Sequence, residues 1–135
     1  MSTVAVSPLS AFLRSAPAVK TSQTCRETLR VMFQHPESKC IVVCSSGNEP
    51  VGLLMSERFF LKVTGRTGSD MIYREPASKL MNRQALTLDL STPAETALAA
   101  AMNRHEAMRN DSIIITDQGK YAGVVYPADL MGSVE

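Results

Sequence analysis

The chain repeats itself. The segment IVVCSSGNEPVGLLMSERFF, starting at Ile41, lies over SIIITDQGKYAGVVYPADLM, starting at Ser112, with Val42 over Ile113, Gly52 over Gly123 and Phe59 over Leu130, 71 positions apart throughout. Each copy has a β-branched run, a polar turn containing Gly and a second apolar run, which is the signature of a hairpin. Each then passes directly into a helical pattern. The match continues upstream: TCRETL at Thr24 and TPAETA at Thr92 both read T-x-x-E, 68 positions apart. That pattern predicts a capping box, the Thr hydroxyl accepting from the third helical amide while the Glu accepts from the amide of the Thr. Pro93 falls at the first helical position, where a missing N–H costs nothing. The change of offset from 68 to 71 gives the second copy three extra residues between helix and strand, within NRHEAMRND. Further back, AVKT at Ala18 lies over LTLD at Leu86. Each copy therefore reads β–α–β–β–α, an α+β (α/β sandwich) unit. Alone it would expose one face of its small sheet, and pairing two pseudo-symmetric copies into one module would bury both.

The expected organisation is a strap or short helix over 1–17, a first repeat over 18–64, a connecting segment over 65–84 and a second repeat over 85–135. Leu29, Val31, Met32 and Phe33 predict a bulky inner face for the first helix, and the run from Ala97 to Met102 a thin one for its counterpart. Met32, Met55, Met81, Met102 and Met131 fall on apolar positions and read as core filling. In the connecting segment Gly65 and Gly68 bracket Arg66 in a turn, and Pro76 restarts the chain before a short helical piece, ASKLM. From Arg58 to Arg83 there are six bases (Arg58, Lys62, Arg66, Arg74, Lys79, Arg83) and two acids (Asp70, Glu75). A solvated face is the simplest reading. Arg66 and Lys62 are also candidate contacts for a phosphate or a partner carboxylate.

Composition narrows the function. A chain of 135 residues can bury a core without a disulfide or a metal. A formal net charge of +1 creates no field that would recruit nucleic acid or an anionic membrane. No run approaches the roughly 20 apolar residues of a membrane span. The N-terminal apolar patch has no basic run before it, so it reads as a strap, not a signal peptide. Cys25, Cys40 and Cys44 are odd in number and form no CxxC. On a strand Cys40 and Cys44 would stand about 13 Å apart, too far for a disulfide. Reduced core thiols in a cytoplasmic protein follow. His35 and His105, the two histidines, read as C-terminal helix residues, and no His/Cys cluster has metal-ligand spacing. No GxSxG elbow and no acid pair in apolar surroundings is present, which argues against an enzyme. With three Tyr and no Trp, the chain offers little surface for stacking single-stranded bases.

A tandem β–α–β–β–α unit whose last strand leads into GVVYPADL (Gly123–Leu130) resembles a CBS-domain pair over roughly Ala18–Met131. GLLMSERF (Gly52–Phe59) shares the apolar pattern alone. Phe60, Gly65-Arg66, Gly68, Tyr73 and Pro76 before Leu80-Met81 are similar to CBS pairs that accompany bacterial GGDEF and EAL signalling domains; the sequence holds no such output domain, so it reads as a stand-alone module or a piece of a longer protein. The resemblance implies a regulatory, non-catalytic module with clefts between its copies and dimerisation through its helices. It also implies binding of an adenosine-type ligand such as AMP, ADP, ATP or S-adenosylmethionine, with no cofactor required. An acid in the second helix of a repeat would hold the ribose hydroxyls, and a Ser or Thr three residues after the Gly would help position phosphate.

Carried onto this chain, the acid of the second copy is Asp129. The Ser/Thr position holds Tyr126, which would either stack on a base or fill its slot, and Pro127 follows it. Thr87 and Asp89 lie on the neighbouring first strand. In the first copy Arg58 stands where the acid would be and Met55 where the Ser or Thr would be, with Ser56 an approximate substitute. Arginine has no acceptor for a ribose hydroxyl but can pair with phosphate. A carboxylate can accept from both cis hydroxyls, each such bond worth about 1.5–3 kcal/mol. Without a ligand, an acid in a first helical turn still stabilises the helix dipole by about 0.3–1 kcal/mol. Three functions are thus open: an adenine-nucleotide-binding regulatory homodimer acting on an output domain or partner protein, a ligand-free dimerisation or adaptor domain, and a basic docking surface over Arg58–Arg83 for an acidic partner or nucleic acid, disfavoured by the near-neutral chain.

Overall fold

The computed structural model describes residues 8–65 and 70–132. Arg66 and Gly68 lie outside the described residues. The chain forms two compact units, 16–85 and 1–15 with 86–135. Residues 76–84 of the connecting segment thus pack in the first unit, and residues 8–15 of the N-terminal strap in the second.

In the first unit β1 (Ala18–Lys20) leads through α1 (Cys25–Gln34) to β2 (Cys40–Cys44), then β3 (Pro50–Met55) and α2 (Ser56–Thr64). The sheet order is β1-β2-β3, with β1 parallel and β3 antiparallel to β2. A short helix α3 (Asp70–Arg74), absent from the sequence reading, and a 3-10 turn (Ala77–Lys79) complete the unit. The second unit repeats the plan: β4 (Thr87–Asp89), α4 (Ala94–Met102), β5 (Ile113–Asp117), β6 (Lys120–Val125) and α5 (Pro127–Gly132), with sheet order β4-β5-β6. A 3-10 turn of the strap, Leu9–Phe12, belongs to it.

The register refines the alignment of the two copies. Ile41 pairs with Leu54, and Ile113 with Val125, so β2 and β5 correspond 72 positions apart while β3 and β6 keep the offset of 71. The first hairpin turn is one residue longer. The second closes tightly through Gln118 and Gly119, both at positive φ (55° and 82°), as a two-residue turn between Asp117 and Lys120 requires. Ala18 pairs with Val42, and Thr87 with Ile114, so the first strands match at an offset of 69.

The same one-residue correction removes a predicted capping box. Thr24 caps α1 as expected, its hydroxyl accepting from Glu27 N–H at 3.1 Å and its own N–H donating to the Glu27 carboxylate at 2.9 Å. Pro93, not Thr92, is the residue equivalent to Thr24. It is extended (ψ 146°), it is the N-cap of α4, and no side chain caps that helix. The three extra residues of the second copy lie between α4 and β5, where they form a 3-10 turn, Glu106–Met108. His105 caps this turn, its Nδ1 accepting from Ala107 N–H at 3.1 Å, instead of ending α4. His35 is the C-cap of α1, as read from sequence.

Packing follows from the helix faces. α1 buries Cys25, Thr28 and Leu29, with Val31 and Met32 partly buried against Ile41, Val43, Phe59 and Val63. Phe33 was expected on that face, but it is 63% exposed: packing of α1 covers the side of Cys25, Leu29 and Met32 and leaves Phe33 at its edge. Met131, also expected in the core, is exposed at the end of α5. α4 presents Ala94, Ala97 and Ala101 to the sheet, and Leu9 from the strap, fully buried, supplies bulk that this helix lacks. All three cysteines are buried free thiols. No helix among the described residues is long and apolar enough to cross a membrane.

Candidate functional site

Strand β6 enters the site as a buried Gly123-Val124-Val125 run, and Tyr126 follows it. Pro127 then opens α5, its fixed φ suited to the first helical turn. The Asp129 N–H donates to the Tyr126 carbonyl at 2.9 Å, which sets the acid one turn above the strand end. Tyr126 and Pro127 are buried, and the Asp129 side chain keeps 30% exposure. Asp129, Tyr126 and Pro127 thus stand at one strand-to-helix junction.

The residue missed by sequence reasoning is Arg14. Its Nε donates to one carboxylate oxygen of Asp129 at 2.7 Å, and one of its Nη atoms donates to the other at 3.2 Å. The guanidinium carbon lies 4.9 Å from the centre of the Tyr126 ring. Arg14 is held there by its backbone: its N–H donates to Val124 O at 2.8 Å, and Val124 N–H donates back to Arg14 O at 3.0 Å. Gly123 makes room, since a Cβ at that position would stand 2.7 Å from the Arg14 carbonyl oxygen. The hydrogen bonds to Asp129, and then its charge, raise the Arg14 pKa above its already high ordinary value, so this cation is permanent.

The repeat carried a signal for Arg14. PLSAFLR (Pro8–Arg14) and PASKLMN (Pro76–Asn82) lie 68 positions apart. Asn82 exchanges backbone hydrogen bonds with Leu53 as Arg14 does with Val124. Extending the repeat upstream of the first strand equates Arg14 with Asn82, and the contact of Asn82 with Leu53, visible only in the folded chain, then puts Arg14 beside the residue after Gly123.

The other candidates separate. Thr87 and Asp89 are exposed on β4, across β5 from β6 in the same sheet. Asp89 closes its own turn: its carboxylate accepts from the Ser91 N–H at 2.9 Å and the Ser91 hydroxyl at 2.5 Å. These bonds, the hydroxyl first, lower its pKa. In the first unit Arg58 and Lys62 are exposed on α2. Ser56 begins that helix; its N–H donates to Lys39 O, while its hydroxyl oxygen is buried with no hydrogen-bond partner. Ser56 lines a groove of about 360 Å³ between α1 and α2, with Met32, Phe33, Pro36 and Phe60. Phe33 and Phe60 meet edge to face at 6.1 Å. Among the described residues no group of His, Cys, Asp and Glu has the arrangement of a metal site.

Two β–α–β–β–α units with these registers define the fold of CBS-pair structures. CBSX2 from Arabidopsis thaliana, a CBS-pair protein, superimposes with a TM-score of 0.70 at 18% identity over 94% of this chain and 93% of that one. CBSX2 in complex with AMP gives 0.69 at 16% identity, covering 94% and 95%. A CBS-domain containing protein from Agrobacterium tumefaciens gives 0.68 at 15% identity, covering 94% and 90%. Residues 77–135, which hold the second repeat and Asp129, match the CBS-domain family model. No curated protein matches the chain.

Proposed function

We propose that this chain is a non-catalytic regulatory module that binds an adenosine-type nucleotide beside Asp129 and acts as a dimer on an attached domain or partner protein in the cytoplasm. The observation that carries the reading is a partly exposed carboxylate, Asp129, one helical turn beyond the end of a buried strand, with the Arg14 guanidinium bridging it to the largely buried ring of Tyr126. A carboxylate accepts from both hydroxyls of a ribose, and a ring face suits a purine. The AMP held by CBSX2, a protein of the same fold, supports that ligand class. AMP, ADP, ATP and S-adenosylmethionine are the ligands to try, and a GGDEF or EAL output is the one that the central segment favours.

Thermal melts with each ligand at millimolar concentration test it. Saturation to about 100 times the dissociation constant adds about 2.7 kcal/mol of stability. Asp129→Ala should abolish the shift. Unchanged melting with all four would refute nucleotide binding.

A second reading is a ligand-free dimerisation or adaptor domain. It is favoured by the occupied state of Asp129, whose two oxygens both accept from Arg14. It predicts a dimer whose mass and melting point ignore nucleotides.

A further inference from the structure

We propose that Arg14 is a built-in gate on the nucleotide site, standing in for the ligand until one displaces it. The inference rests on the nucleotide reading above and adds a regulatory element to it. The positions match chemically. A ribose diol needs two acceptor oxygens on one carboxylate, and the fork of Arg14 holds one oxygen at 2.7 Å and the other at 3.2 Å. A purine needs the face of Tyr126, and the planar guanidinium of Arg14 lies 4.9 Å from the centre of that ring. One side chain occupies both halves of the proposed site.

The gate is built to open at the side chain, not the backbone. The strap is anchored by the paired backbone bonds to Val124 and by the fully buried Leu9. The Arg14 side chain itself is 52% exposed and that of Asp129 30%, so water can replace the ion pair when it separates. The fold does not require the pair. At the equivalent positions of the first unit stand Asn82, a neutral amide, and Arg58, a base, so an acid–base pair between those two positions is chemically impossible there, and β3 still leads into α2.

The consequence is a tax on affinity. An exposed pair of this kind is closed about 60–85% of the time, so removing Arg14 should tighten binding about 2- to 6-fold. Adenosine is the sharper probe, because it has no phosphate for the displaced guanidinium to attract. Isothermal titration of adenosine and AMP into the full chain, as wild type, Arg14→Gln and Arg14→Lys, reads the effect, with circular dichroism confirming that each variant is folded. The expected order of adenosine affinity is Arg14→Gln above Arg14→Lys above wild type, with the smaller gain for AMP. In wild type, the Nε–H resonance of Arg14 should shift when adenosine is added. Equal or weaker adenosine binding by folded Arg14→Gln, with the wild type binding, overturns the gate and leaves the nucleotide reading standing. No binding of adenosine or AMP by the wild type or either variant overturns both.

Discussion

Adding one methyl group at each of the two equivalent glycines should have unequal costs. Gly52 and Gly123 occupy the same place in their hairpins, opposite Val43 and Ile115, and each lies under a crossing segment of chain. A Cβ at Gly52 would collide with the Met81 side chain, Sδ foremost, and a thioether can swing away. A Cβ at Gly123 would meet the Arg14 carbonyl oxygen at 2.7 Å and Leu13 Cδ1 at 2.9 Å, and Gly123 sits at φ 154°, where an L side chain is strained. That strain costs on the order of 1–3 kcal/mol. Displacing the strap threatens two backbone hydrogen bonds to Val124, each worth about 1 kcal/mol net. Against this, alanine restricts the unfolded chain and returns about 0.4–1 kcal/mol. Gly123→Ala should therefore destabilise by about 2–4 kcal/mol and Gly52→Ala by about 1 kcal/mol or less. At about 4 °C per kcal/mol, the first variant should melt about 8–16 °C lower than wild type. Urea unfolding at 25 °C measures both. Equal losses, or a greater loss at Gly52, would refute the claim that backbone approach of the strap, and not side-chain packing, is what Gly123 serves.

The capping difference predicts that Thr24→Ala costs about 1 kcal/mol in urea unfolding, while Thr92→Ala stays within about 0.5 kcal/mol; a matching loss at Thr92 would contradict the one-residue shift at Pro93. Burial pushes the Cys25 and Cys44 thiols up, with Glu75 adding a smaller effect at Cys25, so both should react with a disulfide reagent at pH 8 only after unfolding. Rapid native-state labelling of either would contradict their placement. The lowered pKa of Asp89 means that its turn stabilises the fold above about pH 4, the ordinary carboxylate range, and that this contribution is lost as pH falls through the lower folded value. Ser91→Ala should flatten that acid limb, and an unchanged limb would rule out the Ser91 bonds as its source. If the exposed Phe33, Phe60 and Leu61 of α1 and α2 form a dimer contact, Phe33→Ser with Phe60→Ser should give a monomer by light scattering; a wild-type monomer, or a dimer that survives both changes, would remove that face from the proposal.

Local chemistry alone set out most of the fold. Apolar alternation with turn residues between gave both hairpins, the Thr24 box started α1, and the repetition of one pattern in two halves implied two similar units. The limits of that reading are also local. Counting offsets without knowing the turns placed Thr92 where Pro93 belongs, because one residue in a hairpin loop is invisible until strands pair. Helical spacing could not say that Phe33 points outward, since only packing against α2 and the sheet decides which face of α1 is covered. Asp129, Tyr126 and Pro127 are contiguous, so the sequence alone brought them together on one helix start. The partner of that acid comes from 115 positions away, and no periodicity links Arg14 to Asp129. The tertiary structure decided that pairing, because the strap reaches the acid only by laying its backbone across Gly123 and Val124, where the absence of a side chain lets two segments of main chain meet.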